Sequence, residues 1–468
     1  MQTRSYDLAV IGCGPAGEKA AAQAAYFGKK VVVIDRAQVG GACVHTGTLP
    51  SKALRESALH LSGMTALDVA GVQFTLDEGV SVTSLMAHRD KVCKAEVKRI
   101  LWNLERHGID LLAGAATIVD ETTVRIDRLE ASPVTVNADV IVIATGTRPR
   151  RPEGLPFDST EVWDSDEVLN MASLPKSMIV YGAGVIGCEY AAMFAALGVE
   201  ITLLEPRGAV LPFVDREVTV HLLEAFTTMG IAIRTNAAWE SVRGEDGVGV
   251  ELKLRDGNVI TADRLLFCAG RTPNTDGLGL EDLGIKLNRR SQIVVDEAYH
   301  TGAGRIYAVG DVIGFPALAS TGMEQGRVAV CGAFGFDYKD QVSVLLPYGI
   351  YTIPECAMVG LTEQDCERDG RDYEIGKALY RENARGLLSG QPHGLLKVVF
   401  DPADKKLLGV HVVGEKASEL VHTGMTVMQF GGTIDAFIEA VYNFPTLSEM
   451  YKYAAYDGLG RLQRRNEG

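Results

Sequence analysis

Apolar runs, glycine turns and helix-spaced alanines follow one another along this chain in an order that occurs twice. Asp7 opens a short apolar run, a glycine turn ends at Gly17, and an Ala-rich helical stretch continues to about Phe27. A second apolar run, Val31 to Ile34, is closed by Asp35. The succession returns as Met178 to Tyr181, a glycine turn, an Ala-rich stretch to Leu197, and Ile201 to Leu204 closed by Glu205. Short continuous apolar runs on either side of a helical period predict buried parallel strands joined by a crossover helix. The copies are repeats of a whole βαβ unit, and they predict an α/β fold with right-handed connections.

Between the copies the pattern predicts a charged helix over about Ser84 to His107, a β-rich stretch from Leu111 to Val136, and a strand over Val140 to Ala144. Thr147 to Pro156 holds three prolines and several arginines and reads as a linker. From about Leu345 the pattern changes. Strand signals at Lys397 to Phe400 and Leu408 to Val413 precede long helical stretches to Leu462, which predicts a separate α+β domain.

The chain has 468 residues, too many for one ordinary core. A net charge of -14 argues against a nucleic-acid partner. No uncharged apolar stretch is long enough to predict a membrane span. The N-terminus lacks a basic segment followed by an apolar block, so no signal peptide is expected. Eight cysteines scattered singly suggest reduced thiols in a cytoplasmic protein rather than a disulfide scaffold.

The chemistry of the two glycine turns is specific. In Gly12-x-Gly14-x-x-Gly17 the first glycine permits the tight turn, the second lets backbone approach a pyrophosphate, and the third packs helix on strand. The helix start offers N–H groups and a partial positive charge to phosphate. Asp35, 23 residues after Gly12, is placed to accept ribose hydroxyls. Gly182-x-Gly184-x-x-Gly187 repeats the pattern with Glu205 at the same spacing. Two dinucleotides are therefore expected. A carboxylate at Glu205 favours NAD over a 2′-phosphate; Arg207 either offsets that charge or is a solvated surface arginine.

The segment Gly40-Gly41-Ala42-Cys43-Val44-His45-Thr46-Gly47-Thr48-Leu49-Pro50-Ser51-Lys52 resembles the flavin-adjacent redox motif of the pyridine nucleotide-disulfide oxidoreductases. Ala144-Thr145-Gly146, Gly270-Arg271-Thr272-Pro273-Asn274 and Ala308-Val309-Gly310-Asp311 match that family in order and spacing, so the resemblance covers essentially the whole chain. It implies FAD and NAD(P)(H) as cofactors, held by two Rossmann-like domains, with a C-terminal α+β dimerisation domain. The implied divisions are residues 1–149 with 276–343 for FAD, 150–275 for NAD(P), and 344–468 for the interface of a homodimer. By the same resemblance Pro15, Ala16, Arg36, Gly41, Ala42, Cys43, Ala115, Ala144, Thr145, Gly146, Val185, Ile186, Gly270, Arg271, Gly310 and Asp311 join the fingerprint residues in lining the cofactors. Asp311 is implied to contact the ribityl and phosphate side of the flavin. Lys52 is implied to pair with Glu189 beside flavin N5.

Two departures from the family pattern are informative. Thr48 stands where the family has a second cysteine, with four residues between it and the first, and a hydroxyl cannot form a disulfide with Cys43. Near the C-terminus Phe444-Pro445-Thr446-Leu447-Ser448-Glu449 keeps the proline, threonine and Glu449 but has Phe444 where the family has its histidine base. Phenylalanine has no proton to exchange. The thiol and the base that serves it are missing together, as in the soluble (Si-specific) NAD(P)+ transhydrogenase branch. That branch implies hydride exchange between NADPH or NADH and NAD+ or NADP+ through FAD. An NAD(P)H:quinone or dye reductase is the alternative.

The remaining candidates have bland readings. His45 packs or hydrogen-bonds near the flavin motif, and Cys43 is a retained remnant. His300, His411 and His422 have no metal-like spacing, and no Cys-x-x-Cys pair exists, so no metal site is expected. Cys13, Cys188 and Cys268 read as small core residues. Tyr442, Tyr451, Tyr453 and Tyr456 read as interface packing. Val185 stands where some family members place a gating tyrosine.

Overall fold

A computed structural model describes residues 2–62, 82–390 and 393–467. The chain forms two compact units. The first comprises Met1–Ala53, Met86–Arg150 and Gly270–Ser343; the second comprises Leu54–Leu85, Arg151–Ala269 and Val344–Gly468.

The first unit is built on one sheet. Its strands run in the order Asp110–Ala113, Val31–Asp35, Gln2–Ile11, Val134–Ile143, Thr123–Asp127 and Ala115–Ile118, and Ile306–Ala308 also pairs with Val134–Ile143. Gln2–Ile11 lies parallel to both Val31–Asp35 and Val134–Ile143, with Leu8 opposite Val31 and Val140. Alternate side chains feed two cores. Leu8, Val10, Val31, Val33, Val140 and Val142 pack on one face, while Ala9, Ile11, Val32, Ile34, Ile141 and Ile143 pack on the other. Burial on both faces explains why these strands read as unbroken apolar runs. The helix Pro15–Tyr26 packs on Ala319–Phe334 through small residues. A Cβ on Gly326 would lie 2.4 Å from the Ala16 carbonyl oxygen, so the two backbones meet directly.

The second unit holds the other repeat. Its parallel sheet runs Ala232–Arg234, Glu200–Leu204, Ser177–Tyr181, Arg264–Phe267, Val162–Asp164. A three-stranded antiparallel sheet, Trp239–Glu245, Gly249–Leu254 and Val259–Ala262, shares its core through Val242, Leu252, Tyr181 and Leu265. The C-terminal part is a five-stranded antiparallel sheet, ordered Tyr348–Ile350, Cys356–Gly360, Leu407–Val413, Leu395–Phe400, Glu374–Leu379. The helices Ala417–Gln429 and Met450–Glu467 pack against it.

Two details differ from expectation. The linker reading of Thr147 to Pro156 is corrected at its start, because Thr147–Pro149 is a strand paired antiparallel with Arg271–Pro273. The strand expected over Val140 to Ala144 is the end of the longer Val134–Ile143. The expected charged helix is Val82–Arg106. No helix among the described residues is long and apolar enough to cross a membrane.

Candidate active site

The first glycine turn has the geometry its spacing predicts. Gly12 has φ 102°, and a Cβ there would lie 2.4 Å from the Ala144 carbonyl oxygen. A Cβ on Gly17 would lie 2.0 Å from the Gly12 carbonyl oxygen. Neither position accepts a side chain. A Cβ on Gly14 would meet nothing within 4 Å, so this glycine faces open space at the start of the helix Pro15–Tyr26. No side chain caps that helix start, which leaves its first N–H groups available to a phosphate. Asp35 is half-buried and accepts from Cys13 N at 2.7 Å and Ala37 N at 2.9 Å. Arg36 is exposed beside it, and Ala115 is exposed at the start of a strand that follows the Asp35-bonded Gly114.

Three segments distant in sequence join this turn. The Thr145 hydroxyl donates to the Asn274 carbonyl at 2.8 Å, and Asn274 Nδ2 returns a bond to Thr145 O at 2.9 Å. Asn274 N donates to Gly146 O at 2.9 Å. Arg271 Nε donates to the Thr147 hydroxyl at 2.8 Å, and that hydroxyl donates to Asp311 Oδ2 at 3.2 Å. Gly270 O accepts from Arg150 N. Gly310 is fixed by a 2.8 Å bond from its N–H to Gln325 Oε1. Thr147 and Gln325 were not among the expected site residues. Thr147 adjoins the Ala-Thr-Gly motif, and that adjacency was its one visible signal.

The flavin-motif segment lies on the same unit. Gly40 N donates to Cys13 O at 2.7 Å, and a Cβ on Gly41 would lie 3.0 Å from Gly14 Cα. Cys43 and exposed Ala42 lie on the short helix Gly41–His45, and Thr48 opens the helix Thr48–Leu61. Burial pushes the Cys43 thiol up, and the neighbouring Thr48 hydroxyl opposes that only partly. His45 donates from Nε2 to Val39 O at 2.9 Å. Lys52 is half-buried, with Nζ 3.4 Å from Ser51 Oγ. No disulfide joins cysteines among the described residues, and burial pushes Cys13 up to about 12 and Cys188 well above the thiol range.

The second turn repeats the first. Gly182 has φ 106°, and a Cβ on Gly187 would lie 1.8 Å from the Gly182 carbonyl oxygen. A Cβ on Gly184 would meet nothing within 4 Å. Val185 and Ile186, both half-buried, start the helix Val185–Ala196, again without a side-chain cap. On that helix buried Glu189 accepts from Tyr351 N at 2.9 Å. Glu205 is 1% exposed. It accepts from Ala183 N at 2.9 Å and Arg207 N at 2.9 Å, and the Arg207 guanidinium closes on it at 2.7 and 3.2 Å. Burial works to raise its pKa, but these partners hold it below the usual carboxylate range. Of the two readings open for Arg207, the one that offsets the Glu205 charge is the one seen.

At the C-terminal end Phe444 is 70% exposed. Glu449 accepts from Thr446 N at 3.4 Å and so closes the turn after Pro445. The reading of four tyrosines as one interface cluster is corrected. Tyr451 is buried, donates to Leu420 O at 2.7 Å and packs on Phe437, while Tyr453 and Tyr456 are exposed. His411 is buried and donates from Nε2 to Leu361 O at 2.9 Å.

Comparison with known proteins agrees with this geometry. Residues 6–326 match the model of the pyridine nucleotide-disulphide oxidoreductases, and residues 346–455 match that family's dimerisation domain. A soluble pyridine nucleotide transhydrogenase of Mycobacterium bovis (strain BCG / Pasteur 1173P2) is 43% identical over 468 residues, covering 99% of each chain. That of Pseudomonas putida (strain W619) is 43% identical over 466 residues, 99% of this chain and 100% of its own. The crystal structure of LpdA from Mycobacterium tuberculosis matches with a TM-score of 0.89 at 28% identity, over 97% of this chain and 99% of its own. The chain belongs to the pyridine nucleotide-disulphide oxidoreductase family.

Proposed function

We propose that this chain exchanges hydride between NADPH or NADH and NAD+ or NADP+ through bound FAD, without a redox-active disulfide. The observation that carries this is the partner of Cys43. It faces the Thr48 hydroxyl, not a second thiol. Full-length relatives named soluble pyridine nucleotide transhydrogenases support the same reading. When bound, the flavin supplies the atom that takes up and returns hydride.

The residues fit two dinucleotides. Gly14 and Gly184 each face space that a Cβ would not fill, and each stands before an uncapped helix start. We assign FAD to residues 1–149 with 276–343, through Gly12, Gly14, Gly17, Asp35, Gly41, Gly310 and Asp311. We assign the nicotinamide nucleotide to 150–275, through Gly182, Gly184, Gly187, Glu205 and Arg207. Lys52 and Glu189 keep the charged roles implied by the resemblance. Residues 344–468 would form a homodimer interface, which the dimerisation-domain match and exposed Phe444 support. A cytoplasmic location accords with the absence of disulfides among the described residues.

The chain's own contribution is to bind and to exclude competing chemistry. Helix N–H groups offer their partial positive charge to phosphates. The raised Cys43 thiol stays protonated at neutral pH and is a poor nucleophile. Steady-state turnover of NADPH with thio-NAD+, set against NADH with menadione, tests the proposal. Faster exchange with the nucleotide acceptor is expected; turnover with menadione alone would overturn it.

A further inference from the structure

The loop that follows Glu205 is held at both ends, and its far anchor lies outside the nucleotide site. Near its middle, buried Leu211 has φ 44°, a left-handed conformation that strains a leucine. Its N–H donates at 3.1 Å to the carbonyl of Ala183, inside the second glycine turn, and its carbonyl accepts from Val214 N at 2.9 Å. Ala183 also donates its own N–H to Glu205, so this residue is bonded on both sides. A strained residue persists only where its surroundings over-determine it, so something must fix the loop's exit.

That exit is Asp215. It caps the helix Arg216–Thr228 by accepting from Glu217 N at 3.0 Å, and both its oxygens bind Lys397 Nζ, at 2.9 and 3.0 Å. Asp215 and Lys397 are both fully buried. Lys397 lies on Leu395–Phe400, in the C-terminal sheet of the same unit, and also pairs with Glu217 at 3.2 Å and with Glu363. Lys377 on the neighbouring strand pairs with Glu217 at 2.7 Å. Asp215, Glu217 and Glu363 are close enough together to suggest a cation site, but the Lys397 ammonium already sits among them. The buried ammonium and its three carboxylates therefore act as a clamp on the loop.

We propose that Lys397 is a positioning residue for nicotinamide nucleotide binding. Through Asp215 it holds the loop from Pro206 to Val214, and with it the Ala183 peptide, in the shape that the second glycine turn presents to the nucleotide. This rests on the reading that this turn binds the nucleotide.

The test is calorimetric titration of the flavin-loaded enzyme with NAD+ and NADP+, beside thermal unfolding and the kcat/KM split. Lys397→Gln is expected to weaken both nucleotides by roughly 10-fold to 100-fold, the scale of an ångström-level misplacement. Flavin content and kcat at saturation should change by less than about 2-fold, since an interaction that serves binding alone acts through KM. If Lys397→Gln does not fold, Asp215→Asn/Lys397→Gln replaces both charges with amides, leaves neither charge alone, and should show an intermediate loss of affinity. A folded variant with a lowered Tm and wild-type affinities would overturn the proposal, because the lysine would then serve stability alone. Glu205→Ala separates the two readings. If it weakens NAD+ binding and Lys397→Gln does not, the positioning role fails; if neither weakens NAD+, the nucleotide binds elsewhere and the functional assignment fails with it.

Discussion

Arg207→Ala isolates the element that would let one site accept both NADH and NADPH. The guanidinium lies 2.7 and 3.2 Å from the two Glu205 oxygens, yet its side chain is 62% exposed. Exposure limits its worth to stability to about 1 kcal/mol or less. Its effect on selectivity is larger. With Arg207 gone, Glu205 keeps two backbone donors but loses its only described cationic partner. A unit charge about 4–6 Å from a 2′-phosphate then costs roughly 1–4 kcal/mol between the solvent and interfacial limits. Taking about 2 kcal/mol, kcat/KM for NADPH falls roughly 30-fold, while that for NADH changes less than about 3-fold. The assay is stopped-flow loss of flavin absorbance with each nucleotide. Parallel falls for both, or an unchanged ratio, would refute the reasoning. The acid side gives a second readout. Glu205, depressed in the folded state, contributes stability present above its unfolded value near ~4.3 and lost as pH falls through the folded value. Arg207→Ala should shrink that acid-dependent contribution, as read from Tm against pH.

Three further outcomes are expected. Gly187→Ala puts a Cβ 1.8 Å from a backbone oxygen that cannot rotate away, so it should cost about 1–3 kcal/mol or more and abolish calorimetric nucleotide binding; wild-type affinity would contradict the turn geometry. Thr48→Cys should form a disulfide with Cys43 on air oxidation, because the two side chains are neighbours, and a denaturing thiol titration should then read two thiols fewer before reduction than after. Because burial raises the Cys43 thiol, its iodoacetamide labelling should rise with pH only beyond the free-thiol value near ~8.5, as followed by mass spectrometry; half-maximal labelling at or below that value would show an activated thiol instead.

Much of the fold was legible in the sequence because its strands are buried on both faces. That burial wrote Leu8 to Ile11 and Val31 to Ile34 as unbroken apolar runs, and between them a side chain at Gly12 or Gly17 would collide with backbone. What stayed hidden depends on partners far along the chain. Thr147–Pro149 looked like a linker because its strand partner, Arg271–Pro273, lies more than a hundred residues on and its prolines obscure any period. Lys397 was visible as the start of a strand signal, but its burial is decided by Asp215 and Glu363. No local pattern foretells a lysine facing inward. Tyr451 was grouped with Tyr453 and Tyr456 by proximity in sequence, although helical spacing turns it to the opposite side, into the core. Arg207 could be read either way until its guanidinium was seen on Glu205.

The most direct test of hydride exchange without a dithiol is anaerobic double mixing. NADPH should remove the flavin's visible absorbance, and NAD+ added next should restore it in full, with no thiol reagent or further acceptor present. Bleaching that NAD+ does not reverse would contradict nicotinamide nucleotides as both donor and acceptor.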